Sequence, residues 1–393
     1  VRPVGAVLAA LLCLAATGCV PWNREPPRPG ATAIGSRPVI IPAQVIGNLL
    51  IVTTKWDSSG PYHFLIDTGS SATLLAPELV ARYAVKGDPG TTAPQVRVKS
   101  AAGGSTLLNA ATVQKLQLGS VRFEAVPVLA YDCSDLSAQL GVKIDGILGF
   151  PLFRETVLTL DYPNHQVILR ASLPPVPLPG ETIAFTTQNR TPLIAVRIGD
   201  RQFVALIDSG KDAAVSINPI GLRPRFAFGP TEGPTVGTLT GDRQLEVVRL
   251  AEDLAIGDTI VPRPVAELTD ELSSLGGALL KQFTLTFDQE HNDVTWWRDS
   301  VDPVATPPLR SPGLSFRKTP AYWRVVGVIP GSPADAADVE LGDLVVRING
   351  EPVAQWDLRR YEELIAAAGS AEFTFLNGKI ETRKRLRIAE VVP

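Results

Sequence analysis

The sequence predicts a mainly β protein in which two similar β lobes are followed by a smaller C-terminal β module. Three observations carry this prediction. Gly and Pro are abundant, 33 and 34 of 393 residues, while aromatic residues are 6%, a balance that favours turn-rich strands over long helices. The apolar runs are short, rich in Leu or β-branched residues, and punctuated by Gly, Pro, Asn and Asp. Segments of the first half also recur, in order, in the second. The length fits two or three domains. A hydrophobic content of 45% supplies sizeable cores, and 20% charged residues are too few for a largely disordered chain. Net charge is -3 and Lys and Arg are scattered, so the long-range field that gathers nucleic acid is missing and no nucleic-acid partner is expected.

Residues 1–18 read as an address. Arg2 precedes an apolar run over residues 4–16, too short to span a bilayer comfortably, and Thr17-Gly18 leads into Cys19. A charged start, a short apolar stretch and small residues before a Cys resemble a bacterial lipoprotein signal. That resemblance implies lipidation of Cys19 and attachment to a membrane through the lipid. The alternative is an ordinary secretory signal with an incidental Cys. Val20-Pro21 places no acidic residue after Cys19, so the resemblance points to the periplasmic side of the envelope and to the outer rather than the inner membrane. With Cys13 and Cys19 assigned to the signal, Cys133 is the sole thiol of the body, and an internal disulfide is excluded. Residues 19–37, rich in Pro and without an apolar period, read as a tether. A second Pro-rich stretch, residues 301–312, reads as a linker before the module at 313–393.

Between these breaks lie the two lobes, residues 38–172 and 173–300. Phe64-Leu65-Ile66-Asp67-Thr68-Gly69-Ser70 is echoed by Ala205-Leu206-Ile207-Asp208-Ser209-Gly210-Lys211, 141 residues later. Ala102-Gly103 matches Thr240-Gly241 and Leu118-Gly119 matches Ile256-Gly257, each 138 residues on. Val157-Leu158-Thr159-Leu160-Asp161 matches Thr284-Leu285-Thr286-Phe287-Asp288 at 127. The falling offset makes the second copy shorter. The largest loss maps to residues 131–148, read as a loop and short helix peculiar to the first copy. Strands are expected at 39–41, 49–54, 96–98, 113–118 and 166–169, and a helix at 76–83. Two related lobes create a cleft where they meet.

Asp67-Thr68-Gly69 follows an apolar strand, so a carboxylate leaves a buried strand into a tight Gly turn. Taken alone, the tripeptide is equally a plain turn. Ile147-Leu148-Gly149, about 80 residues on, offers two apolar residues and a Gly that could support the turn from behind. Repeated, this combination resembles the pepsin and retropepsin superfamily of aspartic proteases over residues 38–300. The resemblance implies that Asp67 and Asp208 are the catalytic pair, supported by Thr68, Gly69, Ser70, Ser209, Gly210, Ile147, Leu148 and Gly149. Such a pair shares one proton, because like charges so close cannot both ionise readily. One carboxylate acts as base on a water and the other as acid to the carbonyl of a polypeptide substrate. No metal and no cofactor are implied, and His63, His165 and His291 show no metal-ligand spacing. The family also carries a glycine-rich flap over the cleft, which maps to Gly103 and Gly104 in the first copy and Gly241 in the second.

The second copy departs from the pattern. Lys211 stands where Ser70 stands in the first, and Ile147-Leu148-Gly149 becomes Ser274-Leu275-Gly276. Lys211 could donate to Asp208 and lower its pKa, point to solvent, or mark a lobe that has lost its chemistry. In the last case the chain is a peptide-binding lipoprotein scaffold without activity, or it pairs two first lobes from separate chains.

In the module, Gly313-Leu314-Ser315-Phe316, the turn Pro330-Gly331-Ser332-Pro333-Ala334 and the run Gly342-Asp343-Leu344-Val345-Val346-Arg347-Ile348-Asn349-Gly350 together resemble a PDZ domain. The resemblance implies that Gly313, Leu314, Ser315 and Phe316 cradle a peptide or protein C-terminus, with a strand edge pairing with that peptide. Residues 357–368 have helical spacing and read as the other groove wall.

Overall fold

The computed structural model describes residues 30–86, 93–99, 104–172, 178–187, 190–238 and 241–393. Cys19, Gly103 and the expected signal lie outside the described residues. The protein is mainly β. A 14-stranded sheet and a nine-stranded sheet build the body, and a six-stranded sheet with a separate two-stranded ladder builds the C-terminal unit.

Each half of the body contains the same three-strand crossing. In the first, Ser59–Asp67 runs parallel to Gly146–Gly149, setting Asp67 opposite Gly149, while Thr73–Leu75 pairs antiparallel with the same central strand. In the second, Arg201–Asp208 runs parallel to Ser274–Gly276, setting Asp208 opposite Gly276, and Val215–Ile217 pairs antiparallel with it. Phe64, Ile66, Leu148, Ile207 and Leu275 are buried, as expected of strands covered on both faces.

The halves join edge to edge. Thr156–Asp161 pairs antiparallel with Thr284–Asp288, so that Thr159 lies opposite Thr286, its own counterpart. Their hydroxyls are hydrogen-bonded at 2.9 Å. A segment facing its own repeat across an antiparallel pair marks a local twofold axis, and the flanking strands obey it: Gln166–Ala171 and Val39–Ile46 on one side, Asp293–Trp297 and Glu181–Ala184 on the other. One apolar core runs through both halves, with Phe150 and Phe287 in edge contact at 5.4 Å between ring centroids.

Both stretches read as connectors contribute structure. Thr32–Ala33, expected in the tether, pairs with Val121–Ala130, and Gly30 N donates to Glu124 O at 2.7 Å. Thr32 and Ile34 supply β-forming and core-contacting side chains that the surrounding Pro-rich composition hides. In the linker, Val304 is buried and Leu309–Ser311 pairs with Ala389–Val392. The segment peculiar to the first half contains a helix, Ser134–Leu140, ended by Gly141 at φ 75°, a left-handed stop that favours Gly. A second helix, Pro77–Tyr83, begins on Pro, where the missing N–H costs nothing.

In the C-terminal unit the sheet order is Leu314–Lys318, Trp323–Val328, Leu344–Ile348, Ser370–Asn377, Ile380–Arg387. Its own core gathers Phe316, Trp323 and Phe373. The helix Leu358–Ala367 is capped by Asp357, whose side chain accepts from Arg360 N at 2.7 Å.

Candidate active site

The two Asp turns meet across the twofold axis. Gly69 N donates to Asp67 Oδ1 at 2.9 Å and Gly210 N donates to Asp208 Oδ1 at 3.1 Å, so each turn orients its own carboxyl. The two carboxyls adjoin each other across that axis. Each glycine sits against the opposite carboxyl: a Cβ on Gly69 would overlap Asp208, and one on Gly210 would overlap Asp67. Only Gly allows this approach.

Beneath the carboxyls, Thr68 and Ser209 interlock. Thr68 N donates to Ser209 Oγ at 2.9 Å and Ser209 N donates to Thr68 Oγ1 at 3.0 Å. The hydroxyls then donate onward, Thr68 to Ile207 O at 2.7 Å and Ser209 to Ile66 O at 2.8 Å. Both side chains are fully buried, and the reciprocal bonds satisfy every polar atom they bury. The supporting glycines also correspond. Gly149 lies against Ala72 O and Gly276 against Ala213 O, with no room for a Cβ at either. Phe150 N donates to Ser70 O, and Gly277 N donates to Lys211 O, at 3.0 and 2.6 Å. Ser274, in the place of Ile147, is buried and keeps the strand pairing, so the lost apolar group does not open the loop.

The electrostatics are asymmetric. Loss of water at the cleft floor and then the neighbouring Asp208 charge push the Asp67 carboxyl well above the ordinary range. Burial also raises Asp208, but the Lys211 ammonium pulls against it. Lys211 does not lie between the carboxyls: its Nζ pairs with Glu267 at 3.1 Å, and Glu267 also accepts from Ser216 Oγ at 2.9 Å. The sequence reading missed Glu267. It stands 138 residues after Leu129, and it pairs with Ser216 where Leu129 pairs with Leu74. The signal was available, since the repeat exchanges Ser70 and Leu129 for Lys211 and Glu267, two opposite charges gained together. Ser70 instead bonds locally, donating to Ala72 O at 2.7 Å.

A cleft of about 2130 Å³ opens over the carboxyls. Two hairpins wall it: Gln95–Lys99 with Ser105–Leu118, and Phe226–Thr238 with Gly241–Leu250. Gly104 and Gly241 stand at their turns with φ of 80° and 129°. The second hairpin is held by the C-terminal unit. Thr235 N donates to Ser315 Oγ at 2.9 Å, and Asp242 pairs with Arg317 at 3.0 Å. Leu314, Ser315 and Phe316 line the same cleft as Asp67 and Asp208, and Gly313 adopts φ 99° at the start of their strand.

Among the described residues, no group of three or more His, Cys, Asp or Glu side chains could hold a metal ion. Cys133 is buried, and burial pushes its thiol up to about 12.

Comparison with family models finds an aspartyl protease domain over residues 52–152 and a PDZ domain over residues 324–376. The first match contains Asp67-Thr68-Gly69 and Ile147-Leu148-Gly149 and stops short of Asp208. The second begins after Gly313-Leu314-Ser315-Phe316. No curated protein matches the chain.

Proposed function

We propose that this chain is an aspartic endopeptidase whose two carboxyls, Asp67 and Asp208, come from two pseudo-symmetric retropepsin-like lobes of a single polypeptide. The observation that carries the reading is the approach of each carboxyl to the opposite Asp turn, above the Thr68–Ser209 interlock. The differing surroundings of the pair divide the work. Asp67, pushed up by burial and by its neighbour, holds the shared proton. Asp208, opposed by Lys211, is the base. A water between them loses a proton to Asp208 as it attacks the peptide carbonyl carbon, and Asp67 gives its proton to the carbonyl oxygen. In the collapse the C–N bond breaks, the leaving amine takes the proton from Asp208, and one hydroxyl of the gem-diol returns a proton to Asp67. The Lys211–Glu267 pair favours this reading over an inactive scaffold, because the ammonium is held away from the space between the carboxyls.

In this proposal the PDZ unit binds substrate or partner C-termini, and the chain is held by a lipid on Cys19 at the periplasmic face of the envelope, with the outer membrane favoured. Metabolic labelling with a fatty-acid analogue should mark the wild-type chain and not Cys19→Ser. The activity is tested by incubating the protein with a peptide library. Products that vanish in Asp67→Asn support the peptidase; peptide binding with no products between about pH 3 and 8 would leave only the scaffold.

A further inference from the structure

The groove of the C-terminal unit and the paired carboxyls share one cleft. Leu314, Phe316, Tyr361 and Ile365 line it together with Asp67 and Asp208. The strand Leu314–Lys318 ends its sheet, and among the described residues its other edge pairs with no strand. Residues 389–393 are engaged elsewhere, since Ala389–Val392 is paired with Leu309–Ser311 and Arg249 donates to Pro393 O.

Contacts from both halves fix the unit's place. Arg317 bridges Asp135 of the first half and Asp242 of the second, each at 3.0 Å. Lys318 Nζ donates to Gln139 O at 2.6 Å, and Gly327 lies so close to Thr235 that a Cβ would overlap its hydroxyl. The polarity of the groove then matters. A peptide whose carboxylate lies at Gly313 and which runs antiparallel to Leu314–Lys318 leaves upstream at Lys318. There Leu358 reaches Gly47. The adjoining Asn48 donates to Asp212 Oδ1 at 2.6 Å, and Asp212 belongs to the loop that carries Asp208.

We infer that one substrate polypeptide spans both sites, its free C-terminus seated at Gly313–Phe316 with an apolar last side chain, so that scission falls at a constant number of residues from that end. This rests on the peptidase reading for the cut and stands apart from it for the spanning.

The test uses the Asp67→Asn chain and synthetic peptides ending in a free, apolar residue, with a photoreactive group stepped upstream. Crosslinks to residues 69–73 or 210–213 should form in one window of separation only, and amidating the C-terminus should weaken binding about tenfold or more. Crosslinks confined to the C-terminal unit at every separation, or indifferent to amidation, would overturn the inference. Wild-type protein on the same peptides separates the two ideas. Cuts that ignore the distance to the C-terminus contradict the spanning and leave the peptidase. Spanning crosslinks without any cut contradict the peptidase and leave the spanning.

Discussion

Lys211 is the side chain that most changes the meaning of the second Asp turn. Its charge lowers the Asp208 carboxyl against the rise caused by burial, so Lys211→Met should move the acid limb of the pH–rate profile to higher pH. An unmoved acid limb would show that Lys211 does not act on the pair. Folding raises Asp67 above its ordinary 3.8, so this group's contribution to stability is complete below that value and is lost as pH rises through the folded value. Catalysis follows the same sign, fading as Asp67 gives up the shared proton. Ser209 illustrates a different economy of atoms. Ser209→Ala takes from Thr68 N its buried acceptor and removes a donor to Ile66 O, which should cost about 1–3 kcal/mol in denaturant unfolding. Ser70→Ala, which removes only local, half-buried bonds to Ala72, should cost less.

At the scale of elements, the second hairpin is attached to the C-terminal unit. The Arg317 pairs with Asp135 and Asp242 are part-exposed, and such pairs are worth about 0–1 kcal/mol each. Arg317→Ala should therefore lower global stability little. It should still speed amide exchange across residues 226–250, because the hairpin loses a tie far from its base; unchanged exchange there would show that the remaining contacts suffice. The Asp turns and the helix at 357–368 were legible in the sequence because each depends on local chemistry, an apolar strand into Gly and a 3.6-residue period, and the repeated anchors were legible by comparing the two halves. The strand at Thr32–Ala33, the docking of the second hairpin and the Lys211–Glu267 pair were not read. Each depends on a partner roughly 50 to 90 residues away, and no local period announces it.

On the scale of the whole molecule, the pairing of Thr159 with Thr286 makes the two halves one body with one core, and the acidic pair is completed within a single chain. On the proposed reading, the homodimer of first lobes that Lys211 left open in the sequence is unnecessary. The direct measurement is peptide cleavage by Asp67→Asn, by Asp208→Asn and by an equimolar mixture of the two. The account predicts that each variant loses about 10²- to 10⁴-fold in rate and that mixing restores nothing, since neither chain holds an intact pair. Wild-type cleavage by Asp208→Asn alone, or recovery on mixing, would contradict it.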